Sequence, residues 1–227
     1  MSTSGALDWV SGNRRSLFTA YGQADRVSPI DVTGDGYTEV SRRALEAGGV
    51  RAHRVLLDSR ARFTLDASAL RESRRGGNRL DLPPHEADIA EDIDTAREAA
   101  TVTWLHTPSP RTDYRLTLSG ADTRRDSYYG VGRDPLAYGD TRSQLGVADL
   151  LVNHYTSRHV VSGGLQVTTE RLRDRQPGYG RELDLRYDQA GVFLQDEWTV
   201  RPGWQLLTGL RVDRHSALTR PEVLPRA

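Results

Sequence analysis

The 227-residue chain contains no cysteine, which excludes a disulfide framework and any thiolate metal site and leaves the redox compartment open. Lysine is absent as well: every basic residue other than histidine is arginine, a usage that fits genomic base composition. No run of about 18 apolar residues occurs, which excludes a membrane-spanning helix. It does not exclude a membrane barrel, whose apolar residues are spread by alternation and leave little hydropathy signal. The mean hydropathy of -0.61 is therefore compatible with a soluble protein and with a barrel. Formal net charge is +0, and the pairs Arg14-Arg15, Arg42-Arg43, Arg74-Arg75 and Arg124-Arg125 are scattered among acids, so nucleic acid is not an expected partner. Catalytic spacings are missing too. The histidines form no HExxH pair, no serine sits in a G-x-S-x-G elbow, and no GxxxxGK[ST] loop occurs, so no enzymatic activity is expected.

What the chain does have is alternation. In residues 190–215, Ala190, Val192, Leu194, Trp198 and Val200 fall on one face of a strand and Gln195, Glu197 and Thr199 on the other. Pro202-Gly203 reverses the chain. The return places Trp204, Leu206, Leu210 and Val212 opposite Gln205, Arg211 and Asp213, and two tryptophans beside the turn suit a membrane interface. Asp196 shares the parity of Leu194 and Trp198, which predicts either an interfacial position or a bulge there.

The same alternation recurs. Phe63, Leu65, Ala67 and Ala69 oppose Thr64, Asp66 and Ser68; Tyr114, Leu116 and Leu118 oppose Arg115, Thr117 and Ser119; Val161, Leu165 and Val167 oppose Ser162, Gln166 and Thr168. Val50 to Leu57 can be phased either way. Leu145 to Tyr155 is phased with Asp149 and Asn153 on the polar face, because a charge facing lipid costs roughly 2–4 kcal/mol at the midplane. Tight turns are expected near Gly12-Asn13, Asp58 to Arg60, Pro108 to Thr112, Thr156-Ser157 and Pro202-Gly203. Long polar segments run between them, from about Ala24 to Ala47, Ser73 to Ile93, Ala121 to Arg142, Arg171 to Leu185, and onward from His215. Tight turns at one end and long loops at the other are the habit of an outer-membrane barrel. About nine or ten strands of roughly 9–11 residues are expected, the length that crosses a tilted bilayer path.

Three polar segments are candidate sites. Asp31, Thr33 and Asp35 stand at the first, third and fifth positions of a calcium-type loop with Gly36 at the sixth, but the twelfth position is Arg42, where a bidentate Glu is required. Calcium is thus a possible ligand, weighed against an ordinary acidic glycine turn. Arg74, Arg75 and His85 could contact a ligand or instead tie loop to loop by pairing with Asp88, Glu91 or Asp126. Tyr128, Tyr129 and Tyr138 offer aromatic faces for stacking one.

Several of these segments together resemble a known family. QDEW at residues 195–198, a short turn, and GLRVD at residues 209–213 are similar to the barrel hairpin of TonB-dependent outer-membrane receptors, with Gln195, Glu197, Trp198, Gly209, Arg211 and Asp213 as the matching positions. RRGGNRLDLPPHEADIAE (74–91) and RDSYYGVGRDPLAYGDT (125–141) resemble outer-loop sequences of one branch of that family. Leu224-Pro225-Arg226-Ala227 sits where such receptors carry S-P-R-A and begin their next strand. The likeness runs from about residue 14 onward. It implies an all-β fold, an antiparallel up-and-down transmembrane β-barrel of which residues 1–227 form a part, with outer-membrane lipid around it. It also implies a small-molecule substrate such as a metal chelate, a ferric siderophore or cobalamin, and energy from a TonB complex reached through an N-terminal plug.

MSTSGALDWVSGNRR has no basic n-region or apolar h-region. The expectation is therefore an internal piece of a longer protein, an open curved sheet without the plug, the energy-coupling segment and the final barrel strand. Two other readings share the alternation: a passive porin-type barrel, and a soluble β-sandwich that buries the aliphatic faces between two sheets.

Overall fold

Each expected tight turn joins two neighbouring strands in the computed structural model, which describes residues 1–226. The strands are β1 (Ser2–Val10), β2 (Ser16–Val27), β3 (Thr38–Leu56), β4 (Ala61–Gly77), β5 (Ile89–Ser109), β6 (Thr112–Val131), β7 (Tyr138–Tyr155), β8 (His159–Gln176), β9 (Arg181–Arg201), β10 (Trp204–His215) and β11 (Glu222–Arg226). They form one 11-stranded antiparallel sheet in sequence order, with β1 and β11 as its edges. Ala227 lies outside the described residues. The count exceeds the expected nine or ten because Glu222–Arg226 falls in a segment expected to be loop. Pro225 is accommodated there because β11 is an edge strand, whose outer side needs no ladder donor.

The register sorts the side chains. Phe63, Trp104, Leu116, Leu150, Leu165, Val192, Val212 and Val223 stand directly opposite one another from β4 to β11. The neighbouring row on that face is Leu65, Val102, Leu118, Ala148, Val167 and Ala190. On the opposite face Thr64, Thr103, Thr117, Asp149, Gln166, Gly191 and Asp213 form the matching row. Asp149 and Asn153 therefore share the polar face. No second sheet covers the apolar one: Leu116 is 38%, Leu210 48% and Val192 58% exposed. A soluble sandwich would bury them, so that alternative is excluded by the single layer. The polar face is the more sheltered of the two, Thr117, Gln166, Gln195 and Arg211 being half-buried and Asp213 buried, as on the concave side of a curved sheet.

The apolar band also drifts. In β9 and β10 it begins beside the turn, with Trp198 opposite Leu206 and Leu194 opposite Leu210. In β1 to β3 the turn-end row holds Ser16 opposite Arg54, and the apolar side chains Trp9, Phe18, Ala52, Leu7, Ala20 and Val50 lie farther along. Strands tilted about 35–45° to the bilayer normal impose such an offset on hydrogen-bonded rows. It settles the phase of β3, with Val50 and Ala52 apolar-side and Arg51 and His53 polar-side.

Aromatic side chains gather at the turn ends. Trp104 Nε1 donates to the Tyr114 hydroxyl at 3.3 Å, His106 lies 3.1 Å from the same oxygen, and the Arg201 guanidinium sits 4.7 Å above the Trp204 ring. Such amphipathic rings suit a level where lipid meets water. Asp196 is there too. It keeps normal register with Val161 and Thr208, and its carboxylate lies 2.8 Å from His159 Nδ1, whose ring stacks on Trp198 at 5.7 Å. No bulge occurs at Asp196; the irregularity in this hairpin is between Trp204 and Gln205.

Strand length departs from expectation. β3 to β9 span 17 to 21 residues rather than 9–11. Most of Ala121 to Arg142 and of Arg171 to Leu185 is strand, and the connecting segments shrink to 28–37, 78–88, 132–137, 177–180 and 216–221. Beyond the apolar rows both faces carry polar side chains, so polarity no longer alternates and a strand reads like a loop.

Candidate functional site

The polar face is held by cross-strand hydrogen bonds. The Thr101 and Ser119 hydroxyls lie 3.1 Å apart, Asn153 Nδ2 donates to Asp113 at 3.0 Å, and Ser162 Oγ donates to Asn153 at 2.8 Å. Arg211 forms a two-pronged pair with Asp213 at 2.7 and 2.8 Å and reaches Gln166 at 3.3 Å. That pair lies over Gly191: a Cβ at this position would overlap the Asp213 carboxylate and the Arg211 guanidinium. Gln195 pairs with Gly209 on the same face, Glu197 lies two residues on, and Trp198 points to the opposite side. The six hairpin positions thus divide into five polar-face residues and one lipid-side anchor.

The outer end is built around the 78–88 loop. Asn78 closes it: its Oδ1 accepts from the Asp88 and Ile89 amides at 3.0 and 3.3 Å, and its Nδ2 donates to Asp88 at 3.0 Å. Asp88 also accepts from Arg133 at 3.0 Å and faces Arg79 at 3.3 Å, joining this loop to the β6–β7 connection. The Asn78 hydrogen bond, then Arg133 and Arg79, hold the Asp88 carboxyl below its ordinary pKa. The ordering of this tie is therefore present at neutral pH and above the unfolded-state value, and is lost as pH falls through the lower folded-state value. Asp88→Ala is expected to raise the rate of limited proteolysis within 78–88 several-fold at neutral pH, and acidification of the wild type should produce the same cleavage. Unchanged cleavage in both cases would remove Asp88 as the tie.

The expected ligand residues separate by parity. Arg74 and Tyr129 lie on the polar face, Arg74 paired with Glu91 at 3.0 Å and Tyr129 directly opposite Glu91. Arg75, Tyr128 and Tyr138 point to the other side, where the loop covers Arg75 and Tyr128 and leaves Tyr138 exposed. Arg75 is buried and donates to the carbonyls of Gly76, Arg79 and Leu82 at 3.2, 3.5 and 3.4 Å. Tyr128 is buried among Ala87, Ala90 and Ala137. His85 Nδ1 lies 2.8 Å from the Tyr138 hydroxyl, and the Tyr138 ring meets Tyr128 edge-on at 4.8 Å. Arg75 and Tyr128, expected as possible ligand contacts, are anchors of the loop. Sequence reasoning passed over Asn78, although an Asn following Gly-Gly is a turn signal, and over Tyr179, whose hydroxyl donates to the Tyr129 carbonyl at 2.7 Å. Long-range ties of this kind leave no local pattern.

Asp31, Thr33 and Asp35 sit in the 28–37 loop. Asp31 accepts from the Gly34 and Gly36 amides at 2.6 and 2.8 Å, and Asp35 from the Tyr37 amide at 3.0 Å. Glu39, at the ninth position, accepts from the Val32 amide at 2.7 Å and the Thr33 hydroxyl at 2.9 Å, which hold its pKa low. Arg42, at the twelfth, reaches the Leu80 carbonyl at 3.4 Å. Asp31, Asp35 and Glu39 bring carboxylate oxygens within 4.8 Å of one another, and their hydrogen bonds are those of an acidic turn folded on its own amides.

No family model matches the chain, and no curated protein matches it. Solved structures do. The siderophore receptor PirA from Acinetobacter baumannii superposes with a TM-score of 0.71 at 13% identity over 99% of this chain. A mutant of the ferric enterobactin receptor PfeA from Pseudomonas aeruginosa gives 0.71 at 13% over 99%, and the copper transporter OprC gives 0.65 at 16% over 99%. The chain has the barrel fold of outer-membrane receptors. It spans 37%, 38% and 40% of these three chains, less than half of each. The sheet superposes on part of the wall of these barrels.

Proposed function

We propose that the chain is wall and outer-loop portion of a bacterial outer-membrane receptor that takes up a scarce small molecule of the metal-chelate class, driven by a TonB complex acting through an N-terminal plug. The observation that carries this is the superposition of 99% of the chain on receptor barrels together with its division into an apolar outer and a polar inner face. Arg74 and Tyr129 are the side chains offered to a ligand, since both occupy the inner face at the outer end, and an anionic chelate suits an arginine. The arginine and the ring contribute charge and a stacking surface, and no covalent chemistry is required. A passive porin-type barrel shares the wall; the receptor reading is favoured because the matching structures include siderophore receptors and a copper transporter.

The test is uptake. Deleting the gene should impair growth under limitation of one metal or of cobalamin, complementation should restore it, and loss of the proton gradient should abolish uptake of the radiolabelled substrate. Arg74→Ala with Tyr129→Ala is expected to weaken binding of that substrate about tenfold or more. A large open-channel conductance in planar bilayers, with unaltered growth of the deletion strain, would favour the porin instead.

A further inference from the structure

The chain carries no net charge, yet its ionised side chains differ in sign between the two ends of the sheet. The tight turns, residues 11–15, 57–60, 110–111, 156–158 and 202–203, hold Arg14, Arg15, Arg60, Arg111 and Arg158 against the single acid Asp58, and Arg201 ends β9 beside the last of them. The connections at the opposite end hold Asp31, Asp35, Asp81, Glu86, Asp88 and Asp134 against Arg79, Arg133 and Arg220. Balance over the whole chain therefore conceals a basic rim and an acidic rim.

The basic rim is not consumed by the fold. All six arginines are exposed, and among the described residues none of them pairs with a carboxylate. The turns are closed by other groups: Ser11 Oγ accepts from the Ser16 amide at 2.9 Å, Asn13 Oδ1 from the Arg15 amide at 3.1 Å, and Thr156 Oγ1 from the His159 amide at 3.0 Å. Depth decides what the rim can meet. Trp104, Tyr114, Trp198 and Trp204 gather at the turn end of the sheet, and Arg111 and Arg201 lie three residues nearer the turn than Tyr114 and Trp198. Three residues are roughly 10 Å of strand, or about 7–8 Å of depth at the tilt of a barrel strand. Headgroups add about 5–8 Å to each side of the hydrocarbon core. With the rings at the edge of the hydrocarbon, the guanidiniums therefore reach phosphate depth, and turns of two to five residues extend little beyond it.

We propose that the turn-end arginines gather anionic phospholipids, of the phosphatidylglycerol class, in the leaflet on the turn side of the membrane. Guanidinium forks bind phosphate oxygens in pairs, and arginines close to an anionic leaflet are drawn to its surface potential. The acidic rim at the other end has the opposite preference, so the two ends of the sheet are matched to different surroundings. The inference rests on the membrane reading above, since the rim has headgroups beside it only if the apolar rows are in lipid.

The experiment places the intact protein, extracted from outer membranes, in phosphatidylcholine bilayers containing a trace of spin-labelled phosphatidylglycerol or spin-labelled phosphatidylcholine. Electron spin resonance then reads how much of each label is motionally restricted by the protein. Wild-type protein should favour phosphatidylglycerol, and the preference should fall as salt rises from about 0.01 M to about 0.5 M. The variant R14Q/R15Q/R60Q/R111Q/R158Q should lower that preference about threefold or more while still showing heat-modifiable migration, and the matching lysine variant should keep most of it. R79Q/R133Q/R220Q, at the loop end, should leave it unchanged. An undiminished preference in the folded five-site glutamine variant, or an equal loss in the loop-end variant, would overturn the rim alone. So would sedimentation of the wild type with purified cell-wall sacculi in place of any phosphatidylglycerol preference. Recovery of the wild-type protein outside the membrane fraction would overturn the membrane reading and the rim together.

Discussion

Leu116→Arg is expected to destabilise the inserted barrel, by less than the roughly 2–4 kcal/mol of a midplane arginine because Leu116 stands opposite Trp104, near the turn-end interface. Leu116 sits in the middle of the longest unbroken apolar row, flanked by Trp104 and Leu150, so an arginine there has no neighbouring carboxylate in its row. Thr117→Arg, one residue along, points to the opposite face beside Asp149 and should be tolerated with a change well under that of Leu116→Arg. Urea unfolding from lipid vesicles, followed by heat-modifiable migration, measures both. The contrast between adjacent positions makes the test specific to a strand with two opposed faces, because helix or loop positions would not invert so sharply with a shift of one. Equal destabilisation by the two substitutions would contradict the assignment of faces.

Arg211→Ala is the second large effect expected. Asp213 is 7% exposed and receives both prongs of Arg211, so truncation leaves a sheltered carboxylate without its cation. Breaking a fully buried pair costs about 3–5 kcal/mol; a wet lumen softens this, and about 1–3 kcal/mol is expected here. Both side chains lie on β10, and Arg211 reaches across Gly191 of β9 to Gln166 on β8. Removing both charges at once, as in Arg211→Leu with Asp213→Leu, should cost less than Arg211→Ala alone, since no unpaired charge remains. A double variant as unstable as the sum of the two single ones would show that the side chains act independently.

Alternation carried most of the fold into view. A period of two is printed directly in residues such as Leu116, Thr117 and Leu118, and turn residues at Asp58 to Arg60 and Pro202-Gly203 mark where strands reverse. The upper strand extensions stayed hidden because water lies on both sides of them and removes the polarity contrast. Of the candidate ligand residues, Arg74 and Arg75 are neighbours in sequence, as are Tyr128 and Tyr129. In a strand, neighbours face opposite ways, so one member of each lies toward the lumen side and the other beneath a loop.

The sequence by itself determined the strand class, the turn positions, the two-faced character of the wall and the family likeness of its hairpin, because each of these is written over a few consecutive residues. Only the tertiary structure decided which arginine and which tyrosine are buried, how Asp88 joins two loops, and that Arg124, Arg142 and Arg173 form one row. Those depend on register between strands, and the pairing of residues as far apart as Arg124 and Arg173 is set by ladder hydrogen bonds over the whole sheet rather than by anything local to either residue.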